Sequence, residues 1–101
     1  MKLLIITAVT ALDKDIKKMP KQVDVQTFTY KEVTGFKDIS KEAIESNWFA
    51  SDISLNESML YYAFVKTENV DPFFSLVNEC NNAQNTASNI HISVLHIEKQ
   101  N

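Results

Sequence analysis

Residues 2–9, KLLIITAV, leave the chain little choice. Read with the two-residue period of a strand, Leu3, Ile5, Thr7 and Val9 lie on one side and Leu4, Ile6 and Ala8 on the other. Both sides are apolar, and a strand of that kind is covered on both sides, which predicts a central place in a sheet. The start of the chain, MKLLIITAVTAL over residues 1–12, has the outline of a secretory leader. Its β-branched residues, and Asp13-Lys14-Asp15 directly after it, favour a strand instead.

The next elements follow from spacing. Leu12, Ile16 and Met19 recur at helical intervals within residues 11–19, and Pro20 is expected to end that helix. Residues 23–34 (VDVQTFTYKEVT) and 59–66 (MLYYAFVK) are rich in β-branched and aromatic residues and predict two strands. The one glycine, Gly35, is expected to free the backbone where the first of these ends. A second helix should run from about Asn69 or Asp71, either of which can cap it, to about Asn82. Its apolar face would carry Val70, Phe73, Phe74, Val77 and Cys80. Residues 81–89 (NNAQNTASN) predict a polar connection, and residues 90–97 a last strand.

The order strand, helix, strand, strand, helix, strand is the split βαβ arrangement. Right-handed crossovers put both helices on one face of a four-stranded antiparallel sheet. The fold class expected is therefore α+β, a ferredoxin-like βαββαβ sandwich, with residues 1–101 as a single domain. The face without helices should also be apolar, and so should meet another subunit or a ligand.

Between the middle strands lie residues 37–57, polar and acidic, with Trp48-Phe49 in their midst. Compact domains rarely keep so long a connection without a use for it. Ser40 could cap a helical turn or two over residues 41–46. Aromatics in such a loop either fold back or anchor an interface. Asp38, Glu42, Glu45, Asp52 and Glu57 outnumber Lys37 and Lys41 there, which favours a basic partner surface.

Composition closes several other routes. The net charge is -3, and all ten basic residues are lysine. Without arginine, the bidentate reader of phosphate and guanine, the chain lacks a nucleic-acid-binding footprint. A lone Cys80 forms no internal disulfide, no apolar stretch is long enough to span a bilayer, and a cytoplasmic protein is expected. His91 and His96 are an odd number apart, so one strand points them to opposite faces and no metal site is expected from them. Cys80 reads as a small core residue. Asp13 and Asp15 do not share a helical face. No nucleophile–base set is legible, so an enzyme is not expected, and no cofactor can be named.

The opening MKLLII, the helix between Leu12 and Val23, the segment Glu32-Val33-Thr34-Gly35-Phe36 and residues 65–77 (VKTENVDPFFSLV) together resemble the PII-type signal-transduction proteins. The likeness spans nearly the whole chain in element order, though its local motif is short. It implies a homotrimer with sheets facing inward, which would cover the second apolar face. It also implies a small-molecule or anion site at the loop base, over Gly35, Phe36 and Lys37. Residues 37–57 would then be an effector loop presenting Trp48 and Phe49 to a transporter or enzyme. The sequence departs from nucleotide-binding members at residues 81–89, which hold no glycine, lysine or arginine with which to cradle phosphate. The loop also has no tyrosine to modify. Two other readings share the topology. One is a small dimeric ferredoxin-like enzyme with a pocket lined by Tyr30, His91 or His96. The other is a CutA-like trimer handling divalent cations.

Overall fold

The computed structural model describes residues 1–25, 27–38, 53–84 and 89–101. The strands are β1 (Lys2–Val9), β2 (Thr29–Asp38), β3 (Ile53–Val65) and β4 (His91–His96), and the helices are α1 (Asp13–Gln22) and α2 (Val70–Ala83). The sheet order is β2-β3-β1-β4, and every neighbouring pair is antiparallel. This is the ferredoxin-like α+β sandwich that the element order requires, with β1 in the interior of the sheet. Short 3-10 turns, Thr10–Leu12 and Thr67–Asn69, lead into the two helices.

Register assigns the faces. Leu4, Ile6 and Ala8 of β1 stand opposite Ala63, Tyr61 and Met59 of β3, and all six are buried. Ile16 and Met19 of α1 and Phe73 and Val77 of α2 close over them. Each helix contributes the apolar stripe of its 3.6-residue period, so the core is a sheet face under two helical stripes. Phe28, just before β2, fills the remaining corner. Its ring stacks on Tyr61 at 5.4 Å and on Phe73 at 6.4 Å.

Four boundaries differ from the sequence reading. First, α1 does not stop before Pro20 but continues to Gln22 with a buried Pro20 inside it. Proline lacks the N–H that would pair with the Ile16 carbonyl, so the helix forgoes one bond. Burial of the ring and the closure beyond it offset that loss. Val25 N donates to Pro20 O at 2.8 Å, and Asp24 sits at φ 56°. This six-residue closure with a left-handed residue is a Schellman end, with aspartate where glycine is usual. Second, β2 consequently begins at Thr29, and the residues before it turn the chain.

Third, Gly35 does not end a strand. It pairs with Asn56 inside an unbroken ladder from Thr29↔Tyr62 to Asp38↔Ile53, and its φ is not positive. β3 accordingly starts at Ile53, six positions before the apolar run at Met59. Polar residues pair here because backbone hydrogen bonds need no apolar side chain. Fourth, Asn69 occupies the N-cap position of α2 without a side-chain capping bond. The expected turn over residues 41–46, and Trp48 and Phe49 with it, lie outside the described residues.

Candidate functional site

The β2–β3 ladder outruns the rest of the sheet. β1 pairs with β3 only as far as Val9↔Ser58. Beyond it, from Thr34↔Glu57 to Asp38↔Ile53, the two strands continue as a free ribbon. At about 3.4 Å per residue this ribbon reaches roughly 15 Å from the sheet. Gly35, Phe36 and Lys37 are consecutive positions of it, opposite Asn56, Leu55 and Ser54. The ladder shows no bulge at Gly35, so what the missing Cβ provides is room beside the backbone.

A cleft of about 350 Å³ lies at the ribbon's root, lined by Thr10, Glu32, Thr34, Glu57 and Ser58. Glu32 faces Met59 and Thr34 faces Glu57, so both carboxylates stand on the helix side of the ladder as diagonal neighbours. Among the described residues this lining carries hydroxyls and carboxylates and no basic group. A bare anion gains nothing from that wall. A donor-rich or cationic portion of a ligand does.

The second feature is the sheet face without helices. Leu3 and Ile5 of β1, Leu60, Tyr62 and Phe64 of β3 and Leu95 of β4 share it by register. Tyr62 is 41% exposed, Phe64 47% and Leu95 42%. The Tyr62 and Phe64 rings meet edge to face at 6.5 Å. An apolar surface of this extent is the usual mark of an interface.

The metal-type residues do not converge. His91 lies opposite Thr7 on the open face, while His96 lies opposite Lys2 on the other. Lys2 Nζ donates to His96 Nδ1 at 3.2 Å. Cys80 is half-buried on α2, and burial, aided by the charge of Asp15, pushes its thiol pKa up. No group of three histidine, cysteine or acidic residues suited to a metal exists among the described residues.

One cluster was not legible in the sequence. Tyr61 Oη donates to Asp13 Oδ1 at 2.6 Å, Lys17 Nζ bonds Asp13 Oδ2 at 2.8 Å, and Lys17 Nζ sits 4.1 Å above the Tyr30 ring. Burial and the Asp13 bond raise the Tyr61 phenol well above its ordinary value, so it stays a donor. Burial acts to raise the Asp13 carboxyl, but the Lys17 and Tyr61 bonds outweigh it and hold it below the usual range. This cluster ties the first turn of α1 to the sheet. The i,i+4 spacing of Asp13 and Lys17 was its only local signal.

No protein-family model and no curated protein matches the sequence. Solved structures do match in fold, and one of them is CPII, a nitrogen regulatory PII-like protein from Thiomonas intermedia K12, bound to ADP, AMP and bicarbonate. The two superpose with a TM-score of 0.63 over 98% of this chain and 93% of that one, at 14% identity. The fold is PII-like. At that identity the likeness concerns the fold alone, and it places the β2–β3 ribbon within a PII-like framework. Among the described residues no helix is long and apolar enough to cross a membrane.

Proposed function

We propose that residues 1–101 are one PII-like regulatory domain that senses a small ligand and signals to a protein partner. The observation carrying this reading is the ribbon, a paired strand extension leading from the core into residues 39–52 on a PII-like fold. The protein works as a cytoplasmic homotrimer. The open sheet faces, with Tyr62, Phe64 and Leu95, meet in its interior. Ligand binds at the loop base beside Gly35, Phe36 and Lys37, where one wall is the Glu32–Glu57 cleft. Binding shifts the population of loop conformations, and the loop carries Trp48 and Phe49 to a transporter or enzyme.

CPII's ligands are the natural first probes, though residues 81–89 bring no glycine, lysine or arginine to a phosphate. Asn81 is occupied with the Ile90 backbone, accepting from its N–H at 2.7 Å and donating to its carbonyl at 3.0 Å. Neither alternative gains from the geometry. Tyr30 and His96 lie on the helix side of the sheet and His91 on the other, so the three do not line one pocket within a chain, and a CutA-like metal role finds no ligand cluster among the described residues.

Native mass spectrometry at neutral pH tests the assembly, and calorimetry with ADP, AMP and bicarbonate tests the ligand class. A trimer binding one of them supports the reading. A dimer or monomer that binds none sinks it. Deleting Trp48-Phe49 should abolish partner capture and leave the trimer intact; loss of the trimer instead would make the pair core residues.

A further inference from the structure

The helix layer is open along its middle. Between α1 and α2 runs a groove of about 460 Å³, within the range of roughly 300–1,000 Å³ typical of small-molecule sites. Its floor is Leu12 from the turn before α1, Met19 from α1, and Leu76 and Cys80 from α2. The raised thiol pKa keeps Cys80 uncharged, so the floor is neutral and apolar.

The rim is different. Asp15 on α1 and Glu79 on α2 stand exposed on opposite walls. Neither forms an ion pair among the described residues, whereas Asp13, two positions from Asp15, is taken up by Lys17 and Tyr61. Among the described residues Lys18 is the one cation in the lining and belongs to the same wall as Asp15, so the rim they form is net negative. One end of the groove is built. Gln84 Nε2 donates to Asn81 Oδ1 at 3.2 Å, and Asn81 is bonded to Ile90, which fixes the last turn of α2.

We propose that this groove binds a small amphipathic cation, with its apolar body on the Leu12–Met19–Leu76–Cys80 floor and its positive head between Asp15 and Glu79. Charge complementarity selects that class. An anion meets two carboxylates against one lysine, and a wholly polar cation leaves the floor wet. The groove lies on the far side of the sheet from Tyr62, Phe64 and Leu95, so it stays open whatever covers that face. It also shares no residue with the loop-base cleft, and its failure would leave the proposed sensing role untouched.

The experiment is an amide-resolved NMR titration of the full chain with octyltrimethylammonium, octanoate and octanol, each below its micellar concentration. The cation should give saturable shifts on the facing sides of α1 and α2. Octanoate should bind at least about ten-fold more weakly, and the double variant Asp15→Asn, Glu79→Gln should weaken the cation by about ten-fold and erase the preference. Both sites are exposed, so the variant keeps the fold. Equal binding of octanoate or octanol, shifts located elsewhere, or unchanged affinity in the variant would each overturn the proposal.

Discussion

Ile5 and Ile6 are the same residue at adjacent positions of one strand, and they live in different environments. Ile6 is fully buried against Tyr61 and the helices. Ile5 stands opposite Tyr62, on a face that no helix covers among the described residues. The contrast repeats down β3, where Met59, Tyr61, Ala63 and Val65 are buried while Tyr62 and Phe64 are exposed. Side-chain chemistry is nearly equal on the two faces. Burial is decided by which side the crossovers place the helices on. One chain therefore makes one core and one exposed apolar surface.

The largest test of that contrast is the isoleucine pair itself. Ile6→Ala should cost about 2–5 kcal/mol of unfolding free energy, a large share of a small domain's stability. Ile5→Ala should cost clearly less in dilute protein, with a penalty that grows with concentration as assembly forms. Equal costs in denaturant titrations at every concentration would mean that both faces are already buried within one chain.

Next comes Phe64→Asp. A charge placed on the open face should reduce the native mass to one subunit while far-UV circular dichroism stays unchanged. Unfolding at low concentration would show that the face serves the monomer instead.

On the covered face, Tyr61→Phe removes the hydroxyl bound to Asp13 and should cost about 1 kcal/mol. The pH dependence has a definite sign. The folded carboxyl of Asp13 lies below its ordinary value of 3.8, so its contribution is complete above that pH and is lost as pH falls through the lower folded value. Asp13→Asn should therefore flatten the acid limb of the stability curve. An acid limb as steep as the parent's would assign the effect to other carboxylates. The smallest effect expected is that of Lys17→Met, a slight loss of stability that shrinks with added salt, because the pair is partly exposed.

Much of the architecture was legible, because strands apolar on both faces and helices apolar on one admit few arrangements. The misread boundaries share a cause. At Pro20 a local rule was outweighed by burial and by the closure from Val25 to Pro20. At Gly35 and Ile53–Ser58 the pairing is carried by backbone bonds, and polar side chains hide a ladder from any hydrophobic pattern. The cleft at the ribbon's root was not legible, because Glu32 and Glu57 become neighbours only through register. Asp13 and Tyr61 are 48 positions apart, and no spacing rule joins them.

The ribbon constrains how this protein can change over generations. Because it is paired residue for residue, inserting one residue into either strand turns every position beyond it onto the opposite side. Length can be gained or lost without that inversion only in steps of two, matched across both strands. The ribbon's reach from the core therefore changes in quanta.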